Sequence, residues 1–272
     1  MEGDLVYAGA LFASGLASGF SGGLFGIGGG LLRVPLFLYL FPMFGVAPEL
    51  VMHMAAGTSL AVAVPGTISA ARAQHQAGNL DLDFAKTWVP ALLVGVLGGL
   101  TVQRFVSGHL LILVFAIVLF LQSLQMLIGR DKLHFGSQVP TGPVRWLIAA
   151  FIGALSVALG ISGGAFTTPT LVALSYPLRR ALAVSTVTAL SVSSVGAVGS
   201  VVNGIHASHL PHFSLGYIDV LAVAVMAPAV LLTSPMGVRT ANRMSKELLS
   251  RSFAIFLMIV AADLAFDFFN HR

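Results

Sequence analysis

The sequence predicts an all-α polytopic membrane protein made of two inverted-topology repeats. Each repeat is a broken or re-entrant glycine-rich helical hairpin followed by three transmembrane helices. Three observations carry this. The composition is 57% hydrophobic and 9% charged, with a mean hydropathy of +0.93, whereas a soluble domain is about a quarter charged. A glycine-rich stretch occurs twice: Gly26-Ile27-Gly28-Gly29-Gly30-Leu31-Leu32-Arg33-Val34-Pro35 returns, 134 positions on, as Gly160-Ile161-Ser162-Gly163-Gly164-Ala165-Phe166-Thr167-Thr168-Pro169. The basic residues cluster where an alternating set of spans puts its cytoplasmic loops.

Spans of about 20 apolar residues cross the hydrocarbon core. Residues 5–42 read as one long apolar unit broken at the glycines. Glycine and proline inside a membrane segment break its helix, and such breaks survive where they line a cavity. Single spans follow at 51–71, 84–103 and 109–128, then a polar linker at 129–143. A second broken unit covers 144–175, and single spans at 181–203, 215–236 and 251–269 close the chain. The expected domains are a first transmembrane repeat at 1–128, the cytoplasmic linker at 129–143 and a second repeat at 144–272.

Four basic clusters orient these spans: Arg72 and Lys86; Arg130, Lys132 and Arg145; Arg179 and Arg180; Arg239, Arg243, Lys246 and Arg251. Placed in the cytoplasm, they let the single spans alternate without contradiction. The loops 42–50 and 204–214 carry no Lys or Arg and fall outside. The first broken unit then starts and ends outside, and the second starts and ends inside. Each is expected to be a V-shaped pair of short helices or a re-entrant hairpin, and the two enter from opposite sides.

The repeat extends beyond the glycines. Gly78-Asn79-Leu80-Asp81 aligns with Gly216-Tyr217-Ile218-Asp219, and Pro90-Ala91 with Pro228-Ala229. Gly99 aligns with Gly237, and Phe115-Ala116-Ile117 with Phe253-Ala254-Ile255.

Several function classes are excluded or disfavoured. There is no cysteine, which removes disulfides, thiolate metal sites and cysteine nucleophiles. The net charge of +4 reflects loop placement and gives no nucleic-acid signal. Glu2 and Asp4 precede the first apolar stretch with no Lys or Arg, so it lacks the basic region of a signal peptide and reads as mature protein. No nucleotide-binding motif is present, so movement of a solute is expected to follow a gradient. No cofactor or metal is expected; His206, His209 and His212 read as a wet outer loop, because Pro211 interrupts their spacing.

These residues also carry a resemblance. Gly26-Ile27-Gly28-Gly29-Gly30 with Pro35 soon after, Ala56-Gly57-Thr58-Ser59-Leu60, and His75 followed by Gly78-Asn79-Leu80-Asp81 resemble the TauE/SafE-type sulfite exporter family, also called the four-toluene sulfonate uptake permease family. The likeness runs from about Leu11 to Phe268 and includes the degenerate second copy. It implies a bacterial or archaeal inner-membrane carrier of sulfite, sulfoacetate, other sulfonates or small organic anions. Arg33 departs from the family pattern, where that position is more often apolar.

The expected substrate-binding residues are Arg33, Gly28, Gly29, Gly30, Ser162, Gly163, Gly164, Thr167, Thr58 and Thr186. A mid-bilayer arginine costs roughly 2.5–3.5 kcal/mol on insertion scales, so it should face a cavity or an anion; the bland alternative is snorkelling to the headgroups. The glycine-rich turns would aim helix N-terminal amides at an anion, or they simply let helices pack closely. Thr58, Ser59, Thr186 and Thr188 line the path or bond their own i−4 carbonyls. Thr167 and Thr168 stand opposite Arg33 and Val34 in the repeat. Asp81 and Asp219 read as helix N-caps, and Asp263 and Asp267 as residues of the outer interface. His53 is a candidate for proton coupling. Trp88 and Trp146 are expected as interfacial anchors.

The resulting expectation is a transporter of small organosulfur or organic anions working by alternating access, with the anion held at the midplane between repeat helix N-termini. An anion channel is the alternative. An intramembrane serine protease built on Ser162 is a weaker rival, because the matched position is Gly28, which has no nucleophile. Expected partners are a small anionic substrate and the lipid bilayer, with a homodimer left open.

Overall fold

A computed structural model describes residues 2–25, 29–128, 138–241 and 246–270. Gly28, Arg130, Lys132 and Arg243 lie outside the described residues, as do the side chains of Glu2, Asp4, Lys246 and Asp267. The element order is α1 (Glu2–Phe25), α2 (Gly30–Met43), α3 (Pro48–Gln76), α4 (Leu82–Gln103), α5 (Gly108–Ile128), α6 (Pro143–Ala158), α7 (Gly164–Ala173) and α8 (Leu178–Gly204). A two-residue hairpin follows, β1 (Ser214–Leu215) and β2 (Ile218–Asp219), then α9 (Val220–Ala241) and α10 (Lys246–Asn270). Among the described residues, six helices are long and apolar enough to cross a membrane; they lie in α1, α3, α4, α5, α8 and α9. The chain is an all-α polytopic membrane protein.

Three expectations need correction. The arms of the first glycine hairpin are not both short. At about 1.5 Å per residue, the 24 residues of α1 exceed the ~30 Å hydrocarbon core, because the glycines come late. The span expected from residue 215 starts as a helix only at Val220. Gly216 has a φ of 57°, which turns the chain into the hairpin, and Asp219 begins the helix by accepting the Ala222 N–H at 2.8 Å. Trp88 is not an interfacial anchor: it is fully buried, and its indole N–H donates to Thr188 Oγ1 at 3.1 Å. A buried indole needs such an acceptor. Trp146 is half exposed, as an anchor would be.

The helix breaks have matched geometry. Gly29 and Gly163 both sit in the left-handed region, with φ of 72° and 80°, which only glycine adopts cheaply. The Gly29 carbonyl accepts from the N–H of Leu32 at 3.2 Å and Arg33 at 3.0 Å. The Gly163 carbonyl accepts from Phe166 and Thr167 at the same distances. α2 has 14 residues and α7 has 10. That difference of one helical turn explains why the 134-residue offset between the glycine caps shortens to 130 at the next pair of caps, Ala47 and Pro177. The longer connection before α9 then stretches it to 138 at Asp81 and Asp219.

The two sequence halves interlock. The broadest helix contacts are α1 with α9, α4 with α6, α5 with α10 and α3 with α8. Each joins one helix before the linker to one after it. Glycines spaced four apart make close approaches in two of these contacts. A Cβ on Gly95 would lie 1.8 Å from the Ala150 carbonyl oxygen, and one on Gly99 2.6 Å from that of Ala154. On α1, Gly15 and Gly19 meet Ala229 and Val230 of α9 in the same way. Lipid provides no hydrophobic drive between helices, so close backbone packing of small residues supplies the attraction.

Candidate functional site

The two helix breaks meet. A Cβ on Gly30, the first residue of α2, would lie 3.2 Å from Ile161 Cα and 3.3 Å from the Gly160 carbonyl oxygen. The turn between α6 and α7 in turn rests on α3, because a Cβ on Gly160 would lie 2.4 Å from Ala56 Cα. Ser59 fastens this contact by donating its hydroxyl to the Gly160 carbonyl at 2.9 Å.

Arg33 lies one turn into α2, placed by the left-handed cap at Gly29. It is 1% exposed, and its Nε donates to Ser59 Oγ at 3.5 Å. Its guanidinium passes close to Gly29: a Cβ there would meet Nη1 at 3.0 Å. Arg33 lines a cavity of about 340 Å³ together with Ser162 and Gly164 at the α7 break and Thr186 of α8. The volume is in the range of small-ligand pockets, about 300–1,000 Å³. From Arg33 the cavity runs along α3 as far as Gln74, two residues short of the helix end.

The electrostatics are one-sided. Arg33 contributes a full charge. Gly164 opens α7, whose first N–H groups have no acceptor within the helix and whose dipole presents partial positive charge. The Ser162 hydroxyl is buried with no hydrogen-bond partner among the described residues. No Asp or Glu lines the cavity among the described residues. Among the described residues the arrangement offers the Arg33 cation, the Ser162 hydroxyl and helix amides, with no carboxylate in the lining.

The sequence-derived candidates divide between the cavity and other parts of the fold. Arg33, Ser162, Gly164 and Thr186 line the cavity, with the Thr186 hydroxyl donating to the Ala183 carbonyl at 2.8 Å. Gly29, Gly30 and Gly163 shape the breaks without lining it. Thr167 and Thr168 are buried on α7, and neither hydroxyl has a partner among the described residues. Thr58 lies elsewhere: its Oγ1 accepts the Asp219 N–H at 3.0 Å, tying α3 to the hairpin. His53 also lies outside the cavity, against Glu49, Gln103 and Tyr217.

Polar lining residues that motif reading missed are Ser18, Thr67, Gln74, Ser185 and Ser234. Their signal is periodic. Ala63, Thr67, Ala70 and Gln74 step by three and four along α3, as do Leu182, Ser185 and Ala189 along α8, so each set marks one helix face.

Comparison with known proteins gives the family. Residues 11–264 match the sulfite exporter TauE/SafE family. A probable membrane transporter protein of Haemophilus influenzae is 32% identical over 92% of this chain and 95% of its own length. One from Methanocaldococcus jannaschii is 26% identical over 86% of each. No solved structure matches.

Proposed function

The chain belongs to the TauE/SafE sulfite exporter family and is a membrane transporter, and from that premise we propose that it carries a small organosulfur or organic oxyanion of the sulfite and sulfonate class. The observation that carries this reading is the buried Arg33 beside the unpartnered Ser162 hydroxyl at the α7 N-terminus, in a cavity without a carboxylate lining among the described residues. A planar guanidinium matches two oxygens of a sulfonate or carboxylate. The helix end and hydroxyl complete the shell for the remaining oxygen.

The carrier works by alternating access on a scaffold of two inverted repeats, residues 1–128 and 144–272, joined by a cytoplasmic linker, in a bacterial or archaeal inner membrane. The N-terminus faces outside. The matched caps at Gly29 and Gly163 support the duplication. The cavity's far end, at Gln74 and Leu182, lies next to Arg72 and Arg179-Arg180, which the positive-inside rule assigns to the cytoplasm. The conformation is then inward-open. The packing of Gly160 on Ala56 and its bond to Ser59 close the opposite side. A cavity closed at one end favours a carrier over an open channel.

The test is a thermal-shift titration of purified protein with sulfite, sulfoacetate, taurine, sulfate and small carboxylates. Ligand that binds only the folded state stabilises it by about 2.7 kcal/mol at a hundred times its dissociation constant. At least one sulfur oxyanion should raise the transition temperature in wild type and not in Arg33→Ala. No shift with any anion would sink the proposal.

A further inference from the structure

His53 sits one turn into α3, buried, with both ring nitrogens against carbonyl oxygens. Nδ1 lies 3.3 Å from the Glu49 oxygen and Nε2 lies 3.2 Å from the Gln103 oxygen. A neutral imidazole carries one N–H, so it serves one of these acceptors and turns a lone pair on the other. The doubly protonated ring donates to both. Gln103 is the last residue of α4, where terminal carbonyls lack a helical donor and the dipole favours a cation.

The same residues lead to the seal above the cavity. The Gln103 side chain donates to the Ala158 carbonyl at 3.4 Å, at the end of α6. Two residues on, the Gly160 carbonyl accepts from Ser59, which in turn accepts from Arg33. A run of hydrogen bonds therefore passes from α3 to the end of α4, to the end of α6, and back to α3 beside the site.

We propose that His53 is a proton-binding site of this protein, because its ring faces an acceptor at each nitrogen, and that a ring donating to both carbonyls holds the seal between the α6–α7 turn and α3. The link to transport rests on the carrier reading above; proton binding itself does not. The other titratable or charged groups around His53 are few. Glu49 on its own helix, Arg104 after α4 and His109 on α5 are all exposed, where water screens them. From the hairpin, the Tyr217 ring packs at 5.2 Å, and Asp219 is already engaged by Tyr7 and by the α9 cap. The basic residues of α8 and α9, Arg179, Arg180 and Arg239, lie at the far ends of those helices.

Two measurements test this. In nitrogen NMR of histidine-labelled protein, assigned through His53→Gln and through the shift caused by Tyr217→Leu, His53 should show both nitrogens protonated at the acidic end of a pH series. A ring that stays singly protonated down to pH about 5 overturns the proposal. In proteoliposomes, an outer pH step should change wild-type flux of a bound sulfur oxyanion several-fold and His53→Gln flux less than twofold, with anion-induced thermal shifts retained in the variant. A full wild-type response in His53→Gln overturns the coupling. If wild type moves no anion at all, the carrier reading fails, and the NMR result still decides the proton site.

Discussion

On the proposed reading the anion chemistry rests most on Arg33, which lines the cavity beside Ser162, and a single substitution tests it. A hydrogen bond to a charged group contributes about 1.5–3 kcal/mol, and each 1.4 kcal/mol is about tenfold in affinity. Arg33→Ala should therefore weaken anion binding at least ~10-fold in a thermal-shift titration, with Arg33→Lys intermediate because an ammonium cannot grip two oxygens at once. Ser162→Ala should cost a few-fold. Equal binding by Arg33→Ala and wild type would mean the guanidinium serves packing alone. Asp81 supports a separate prediction about stability. The Phe84 N–H, the Tyr176 hydroxyl and Arg180 hold its carboxyl below the ordinary carboxylate range, although partial burial opposes them. Burial and the Asp81 charge push the Tyr176 hydroxyl up in turn. A depressed native value means the stabilisation is present above about pH 4, the unfolded carboxylate value, and is lost as pH falls below that and through the lower native value. Asp81→Asn should thus be less stable than wild type at pH about 6, and the difference should shrink steadily as pH falls below about 4. A constant difference across that range would show that the charge of Asp81 plays no part.

At the scale of elements, the α4–α6 contact depends on what glycine leaves out. Any side chain on Gly95 would collide with the Ala150 backbone, which no rotamer change relieves. Gly95→Ala should destabilise by about 1–3 kcal/mol, the usual cost of overpacking, measured by thermal unfolding in detergent. Gly98 has open space where a Cβ would project, so Gly98→Ala is the control and should be near neutral. Comparable losses in both would show that the approach to Ala150 is not the cause, since alanine is the better helix former at either position. The same contrast explains what could be read from sequence. Spans such as 84–103 and 109–128 emerge from hydropathy because the bilayer sets their length. The breaks at Gly29 and Gly163 emerge because glycine and proline act locally. Trp88 escaped because interface and core look alike in one dimension, and only its pairing with Thr188, a hundred residues away, separates them. Thr58 escaped for the same reason: its partner, the Asp219 N–H, comes from the other half of the chain. The face of α3 from Ala63 to Gln74 was readable as a helical period, but small residues give that period little contrast.

For the whole molecule, interlocking limits how access can alternate. Helices α1 with α9 and α4 with α6 are joined across the linker, so residues 1–128 cannot swing as one body against 144–272 without parting the glycine contacts. On the alternating-access proposal, the units that would move are those cross-linker pairs, about the α3–α8 contact. In the arrangement seen here, α3 is closed on the α6–α7 turn at Ala56, while Thr186, its counterpart on α8 at the 130-residue offset, borders the cavity. The chain has no cysteine of its own, so a single introduced thiol reports its surroundings cleanly. Thr186→Cys should react with a charged, membrane-impermeant thiol reagent from the side of Arg179-Arg180 and be protected by a bound sulfur oxyanion. Ala56→Cys, at the sealed contact, should react at least ~10-fold more slowly from either side while this conformation dominates, since a tenfold ratio needs only about 1.4 kcal/mol between open and closed states. Reaction of Thr186→Cys solely from the opposite side would reverse the assigned orientation. Equal reaction of both thiols from both sides would indicate a continuous pore, and the protein would then conduct rather than alternate.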